Sequence, residues 1–507
     1  MTQRFLKNNF LVLLSLFIVG FIVHIKSFQM VPYGDDWKFI YNYYTHEEKS
    51  LNFSNFSGIF SYLAPYGPAI LAIGVVYQFF GETYFVYYLI PLIFKILTAF
   101  ILYLSLQIVS RSFKQKNSAF NLFSATLFLV GFTGIQAIDW SMNMNVYIAL
   151  FIFSLGLFFQ CRYFINSKTS NLILGFTLFV LAIIAAPTRF SPLVLILPLI
   201  DLVIALKNSK LFKVIFFKNI FFVFLIYIFF LIGIFGNPGE VNNSNLINPF
   251  IAGFLRDPLM AFKIFMHWIG VTILPIYPSA NIYKTAIAGA LFIILFITAL
   301  YKSRNRWLII GAIIYFIPLI LMWLSSSLLK IVDADSRHLL VPFFGLCFLL
   351  GTILISLGKA KNILKFLLVS LIFAHIYSVE IIYNHWISIG RGYDFIIPTE
   401  KIIMSHFPEP ISEPKYIFLD FDDGAVQQSV VFGLGYRVAF LSGTRNLNLL
   451  PVPFSNKDVL MKKIQEEIKK GRQKDNIVKN IYAFRLRNKE FSDITTSFQE
   501  EIKKEIN

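Results

Sequence analysis

Long apolar stretches separated by short polar strips occupy the first three quarters of the chain. A stretch of about 20 apolar residues can cross a bilayer as a helix, and several of these stretches reach or approach that length. His24-Ile25-Lys26 follows the first stretch in place of a small-residue cleavage site, which predicts a retained first helix. We predict eleven transmembrane helices, near residues 9–27, 84–110, 119–137, 146–162, 170–187, 191–206, 219–235, 284–301, 307–327, 339–357 and 362–381.

Polar strips rich in lysine and arginine alternate along the chain with strips that hold few of them, and this pattern predicts the orientation in the membrane. Cytoplasmic loops are enriched in these residues, so the basic strips are assigned to the inside. With a cytoplasmic N-terminus, eleven spans leave the C-terminus outside. The inner strips hold Arg4, Lys7, Arg111, Lys114, Lys116, Arg162, Lys168, Lys207, Lys210, Lys213, Lys218, Lys302, Arg304, Arg306, Lys359, Lys361 and Lys365.

Three longer segments then fall on the outer face. The first, 28–83, ends in an apolar run that predicts a helix lying along the interface. The second, 236–283, contains another interface-like helix. The third is the tail from 382, with a strand-like run at 416–419 and a polar helix near 457–470. The predicted fold is an all-α polytopic membrane domain over 1–381 with a small extracytoplasmic α/β domain over 382–507.

Composition agrees with this class. The chain is 57% hydrophobic and 17% aromatic but only 14% charged, which excludes a soluble globular protein. The net charge of +17 lies mostly in the inner strips, so it indicates topology rather than nucleic-acid binding. The two cysteines, Cys161 and Cys347, lie inside apolar segments and form no disulfide framework. We predict a multi-pass protein of a bacterial inner or plasma membrane.

Charged residues collect near the outer ends of the predicted helices, beginning with the stretch 31–37. Carboxylates at a membrane face are uncommon and often functional, although Gly-Asp is also ordinary turn chemistry. A carboxylate can take a proton from an attacking hydroxyl or amine, and arginine or lysine can hold a phosphate. The candidates are Asp35, Asp36, Trp37, Lys95, Asp139, Trp140, Arg189, Arg337 and His338.

No phosphate-binding glycine loop, dinucleotide fingerprint or His/Cys zinc spacing is present in the sequence. A divalent cation such as Mg²⁺ or Mn²⁺ at Asp35 and Asp36 stays open as an expectation. The alternative for Lys95 is a side chain that snorkels to the membrane surface. Asp36 is the preferred base of the pair because Trp37 beside it can line a sugar pocket.

The first-loop Asp-Asp pair, the interfacial helices and the outer C-terminal domain resemble the GT-C membrane glycosyltransferases. These use polyprenyl-phosphate-linked sugars and include protein O-mannosyltransferases and aminoarabinose transferases. The resemblance implies a catalytic base at Asp35 or Asp36, a second acidic site residue at Asp139, and a donor-phosphate contact at Arg337. The run 335–342 is similar to the Arg-Tyr-x-x-Pro start of a late span in that family, with His338 where the tyrosine is usual.

The resemblance therefore implies inverting transfer of a sugar from a polyprenyl-phosphate donor to an extracytoplasmic glycan, lipid or protein acceptor. The alternative function is a flippase or transporter for lipid-linked glycans. Transporters usually carry charges at mid-membrane depth and paired repeats, and this chain shows no repeat. A polysaccharide polymerase or ligase is a further alternative.

Overall fold

The structure is a computed structural model that describes residues 2–45, 67–113, 118–205, 209–231, 254–275, 281–303, 305–325, 339–357, 362–488 and 490–506. Helices make up most of the described part of the first four fifths of the chain. In chain order they are α1 (Thr2–His24), α2 (Asp35–Thr45), α3 (Gly67–Phe80), α4 (Phe85–Ser112), α5 (Ser118–Val130), α6 (Gln136–Asp139), α7 (Met144–Asn166), α8 (Thr169–Ala185), α9 (Pro187–Phe190), α10 (Leu193–Ala205), α11 (Ser209–Leu231), α12 (Pro258–Ile273), α13 (Ile282–Ser303), α14 (Arg306–Ser325), α15 (Leu340–Leu357), α16 (Asn362–Trp386) and α17 (Tyr393–Met404).

Each of the eleven predicted spans contains a helix. In the described part of the chain, six helical segments are long and apolar enough to cross a membrane by length and composition: Asn8–Gln29, Phe85–Ser112, Met144–Asn166, Ile282–Ser303, Arg306–Trp323 and Lys365–Arg391. Seven shorter apolar helices accompany them. Large apolar side chains remain exposed along these helices, including Phe217, Tyr301 and Phe366, as expected where a helix faces lipid rather than water. The polytopic helical class is confirmed.

The predicted span at 119–137 is broken in the structure. Helix α5 ends at Val130, so its 13 residues extend only about 20 Å. Gly134 has φ +84°, which a helix cannot continue through, and α6 starts two residues later. The chain therefore turns inside the bundle and leaves the C-terminal carbonyls of α5 in need of donors.

The two predicted interface helices correspond to α3 and α12. Helix α3 packs against α2, where Gly74 leaves room for the ring of Tyr43. Helix α12 lies antiparallel along α13, since a Cβ on Gly270 would overlap the Thr285 carbonyl and one on Gly289 would overlap that of Met266. Glycines at both crossings let the two backbones approach closely. Helix α12 thus packs along a predicted span instead of lying apart from the bundle.

The tail folds as the predicted α/β unit. A four-stranded sheet has the order β2-β1-β3-β4, with β1 parallel to β2 and β3 and with β4 antiparallel to β3. Its elements are β1 (Tyr416–Phe421), α18 (Gly424–Val431), α19 (Leu434–Leu441), β2 (Val452–Phe454), α20 (Lys457–Lys469), α21 (Lys474–Lys479), β3 (Ile481–Arg487), β4 (Glu490–Asp493) and α22 (Thr495–Ile506).

Strand β1 is central because its residues are apolar on both faces, the pattern of a strand covered on each side. One face packs on Leu460 of α20 and Phe498 of α22, while Ile417 and Leu419 belong to a core that continues into the helix bundle. The predicted boundary at 381/382 falls inside α16, and α17 leads from the bundle to the sheet. The tail is thus joined to the bundle by a shared core.

Candidate active site

The acid pair begins helix α2. Gly34, at φ +58°, makes the turn that precedes it, and the Trp37 amide donates to the Gly34 carbonyl. Asp35 and Asp36 occupy the first turn, where unpaired amides and the helix dipole favour carboxylates. The stretch singled out in the sequence therefore positions both acids at one helix end.

The two carboxylates differ in access. Asp36 is fully buried, and its Oδ2 accepts hydrogen bonds from the Tyr33 amide at 2.9 Å and from the Ser141 amide at 3.2 Å. Asp35 is half-buried. A group that takes a proton from a substrate must be within reach of it, so Asp35 has the better access and Asp36 the better-fixed position.

The contact with Ser141 brings in the second predicted acidic turn. Helix α6 ends at Asp139, whose side chain lies outside the described part, and Trp140 follows it. The Trp140 ring lies 6.2 Å from that of Tyr33, centroid to centroid. The turn at 139–141 and the first loop, far apart in sequence, therefore meet in the structure.

The C-terminal domain covers this junction. The ring of Phe432 lies 5.5 Å from Tyr33 and 6.4 Å from Trp140. Gly433, at φ +85°, places its backbone against Gly34, so that a Cβ there would meet the Gly34 carbonyl group. We call the junction of residues 31–37, 139–141, 390–404 and 429–441 the seam.

Helix α19 brings a buried cation into the seam. Arg437 is 6% exposed, forms an ion pair with Glu400 of α17, and its guanidinium carbon lies 4.6 Å from the Trp37 ring centroid. Burial raises the pKa of Glu400 above its ordinary value, with Arg437 opposing the shift. Trp37 also packs on Phe440 and donates from Nε1 to the Pro32 carbonyl at 2.7 Å, so its ring is held on both sides.

A second buried cation comes from the end of helix α16. Arg391 is 4% exposed, and its guanidinium carbon lies 4.5 Å from the Tyr33 ring centroid and 5.0 Å from that of Trp386. Its carbonyl accepts from the Val31 amide at 3.3 Å, which fixes it to the first loop. Planar guanidinium groups on aromatic faces suit the recognition of phosphate or sugar hydroxyls.

The seam is closed as it stands. The cavity between the first loop, Arg391, Glu400 and Arg437 has a volume of about 30 Å³, enough for about one water. This volume is too small for a sugar or a phosphate group. Among the described residues lining this cavity, the polar and charged side chains include Tyr33, Arg391, Thr399, Glu400, Ser429 and Arg437.

The structure places Lys95 elsewhere, deep in the bundle. It is fully buried rather than snorkelling, and its Nζ lies 3.3 Å from the Gly131 carbonyl and 3.4 Å from His24 Nε2. His24 also reaches the Leu129 carbonyl at 3.1 Å, and His375 Nδ1 accepts from the Phe132 amide at 3.3 Å. These side chains satisfy the backbone groups freed where α5 ends inside the bundle, which gives Lys95 a structural explanation.

The other predicted site residues are less informative. Arg189 lies half-buried in the short turn α9 and does not line the described seam cavity. Arg337 and His338 lie outside the described residues, so their predicted roles stay predictions. Arg391, Glu400, Phe432 and Arg437 were missed by the sequence analysis. The available signal was Arg437, a single charge in the apolar run 433–441, which is unusual for a solvated domain.

A cation bridging the acid pair fits these residues poorly. One Asp36 oxygen already accepts two backbone amides, and an oxygen so occupied is a weak ligand for a divalent ion. Among the described residues, no group of three or more His, Cys, Asp or Glu side chains is arranged to hold a metal.

Comparisons with known proteins give likenesses to solved structures only. No family model matches the chain, and no curated protein matches it. Among solved structures, the chain is similar to ArnT from Cupriavidus metallidurans bound to undecaprenyl phosphate. The two share 12% sequence identity at a TM-score of 0.43, over 96% of this chain and 94% of that one.

Proposed function

We propose that this protein is an integral membrane glycosyltransferase that moves a sugar from a polyprenyl-phosphate carrier to an extracytoplasmic acceptor. The observation that supports it is the seam, where the first-loop segment that carries the acid pair meets Arg391 and Arg437 through the rings of Tyr33 and Trp37. An acid, two cations and aromatic faces at one end of a lipid-facing bundle suit polar chemistry on a substrate whose tail stays in the bilayer. The sequence resemblance to GT-C enzymes adds the reaction class.

In the proposed reaction the acceptor oxygen or nitrogen attacks the anomeric carbon from the face opposite the phosphate. The bond from that carbon to the phosphate oxygen breaks, so the configuration inverts and polyprenyl phosphate leaves. The acceptor's proton passes to the Asp35 carboxylate, the half-exposed member of the pair. Asp36 positions the base by holding the Tyr33 and Ser141 amides.

Negative charge grows on the departing phosphate, and fixed cations nearby stabilise it. Arg391 and Arg437 are the described candidates for that role, and Arg337 remains a candidate from the sequence. Two buried guanidinium groups offer planar donors that match phosphate oxygens. Because the seam is closed, donor binding must accompany separation of α19 from the first loop.

The test is sugar release from radiolabelled polyprenyl-phosphate sugars by purified protein in lipid, with crude envelope as acceptor. We expect Asp35→Asn to lower release by about 10²- to 10⁴-fold, the range of general-base catalysis, without changing Tm. Asp36→Asn should lower both release and Tm, because a neutral side chain replaces the carboxylate that accepts hydrogen bonds from two backbone N–H groups. Asp458→Asn is the matched control, since Asp458 is exposed in the first turn of α20 and lies outside the seam.

Wild-type release by both Asp35→Asn and Asp36→Asn would contradict the proposal. Absence of release by the wild type, together with movement of the lipid-linked sugar across sealed vesicles, would establish the flippase instead. Loss of release in Asp458→Asn would show that the assay reports general damage rather than loss of a base.

A further inference from the structure

A second cavity lies at the end of the bundle opposite the seam. Helices α4 and α7 both start beside the seam, where Tyr84 packs on Trp37 and Ser141 bonds Asp36. Their 28 and 23 residues extend about 42 and 35 Å, which is the thickness of a bilayer. Arg111, in the last turn of α4, and Arg162, one turn before the end of α7, therefore lie towards the opposite membrane face.

This cavity is large and has two distinct linings. Its volume is about 490 Å³, within the range of about 300–1,000 Å³ typical of ligand pockets. Its walls include Leu104 and Ile108 of α4 and Phe158 and Ile165 of α7. Its rim carries the two arginines, which are exposed at the end of the bundle. An apolar trough with a cationic rim matches an amphipathic anion rather than water or a free ion.

The polar floor of the cavity is fixed by hydrogen bonds. Gln107 Nε2 donates to Tyr103 Oη at 2.7 Å and to Asn9 Oδ1 at 3.4 Å, which joins α4 to α1. Arg162 lies with its guanidinium carbon 5.7 Å from the Phe158 ring centroid, which holds its stem along the apolar wall. The cavity is therefore framed by three helices, α1, α4 and α7, and does not depend on one flexible side chain.

We propose that this cavity binds an anionic phospholipid of the leaflet opposite the seam. Its phosphate lies between Arg111 and Arg162, and one acyl chain follows the apolar wall of Leu104, Ile108 and Phe158. Basic pockets between transmembrane helices on the cytoplasmic side are suited to anionic headgroups, and the positive-inside pattern places this end there. The site stands apart from the seam and does not depend on the proposed reaction.

The test measures retention of phosphatidylglycerol and phosphatidylcholine by the purified full chain in detergent, using native mass spectrometry with lipid titration. Phosphatidylglycerol should bind saturably and in preference to phosphatidylcholine. Changing either arginine to Gln should weaken it roughly 5-fold, and Arg111→Gln with Arg162→Gln roughly 30-fold. The matched control is Lys168→Gln with Lys302→Gln, which removes the same charge from exposed positions outside the cavity lining.

A second variant tests the trough without touching the charges. Ile108→Trp places an indole in the cavity, so it should abolish saturable phosphatidylglycerol binding while both arginines remain. If the double arginine variant fails to fold, Ile108→Trp still tests whether the lipid binds in this cavity.

Three results would overturn the proposal. An equal loss of phosphatidylglycerol binding in the lysine control would show that the lipid is held by general attraction to a basic surface. Displacement of the lipid by millimolar inorganic phosphate would show an anion site alone. Tighter retention of polyprenyl phosphate than of phosphatidylglycerol would assign the cavity to the carrier lipid.

Discussion

Gly433→Ala should separate the C-terminal domain from the first loop. Gly433 has φ +85°, and an added Cβ would lie 2.9 Å from both the carbonyl carbon and the Cα of Gly34, and closer still to its carbonyl oxygen. Ordinary contacts of a Cβ lie at 3.4–4 Å, so one backbone must move by about 1 Å to clear the carbonyl oxygen. Both partners are backbone, which cannot swing aside as the end of a long side chain does.

Two costs add at this position. An alanine at positive φ costs about 1–2 kcal/mol through its backbone conformation. Forcing extra volume into a packed contact adds about 1–3 kcal/mol. Gly471→Ala separates the two, because Gly471 has φ +87° but nothing within 4 Å of an added Cβ. The difference between the two variants is therefore the packing cost of the seam, about 1–3 kcal/mol.

Hydrogen exchange at the Val31 amide measures this difference directly, because that amide donates to the Arg391 carbonyl across the seam. A cost of about 1–3 kcal/mol corresponds to roughly 5- to 150-fold faster exchange in Gly433→Ala than in Gly471→Ala. Amides of β3 should be unchanged in both, since the sheet lies beyond the contact. Equal exchange at Val31 in the two variants would refute the close approach of the two glycines and with it the closed seam.

Three further results are expected. Arg391→Gln should lower kcat/KM for sugar release by about 10²-fold, whereas Arg445→Gln, an exposed charge in the same domain, should leave it unchanged. Burial raises the pKa of Glu400, so the folded state binds its proton more tightly than the unfolded state does, and stability falls as pH rises through that pKa. Melts at acidic and neutral pH should show this fall in the wild type and a smaller one in Glu400→Gln; identical pH dependence would contradict it. Sugar release should persist in EDTA, because the arrangement of Asp36 fits a bridging cation poorly; loss restored by Mg²⁺ would show a metal requirement.

The helices and the acid pair were predictable because they depend on local sequence. Apolar runs fix the spans, and Gly34 followed by two acids marks the start of α2. The burial of Lys95 was not predictable, because it follows from α5 ending at Val130 inside the bundle, where carbonyls need donors. The break itself has a local signal in Gly131 and Gly134, but the apolar residues around them hide it from a hydropathy pattern.

The cations of the seam were missed for a different reason: their partners are far away in sequence. Arg437 packs on Trp37 and pairs with Glu400, and Arg391 packs on Tyr33 as well as on the nearby Trp386, so neither arrangement can be inferred from one segment alone. Composition presents the tail as a separate soluble domain, whereas Ile417 and Leu419 share a core with the bundle.

Mutual dependence of the first loop and the tail follows from these contacts. Without α19, Trp37 and the Glu400 carboxylate would lose the guanidinium that covers them. Without the first loop, Arg437 would keep one partner and lose the aromatic face that shields it. A buried charge left without its partners is costly, so each part is stable in this arrangement only while the other is docked. The proposed transfer site therefore exists only in the intact chain, and its opening for substrate must break the same contacts that hold the tail to the bundle.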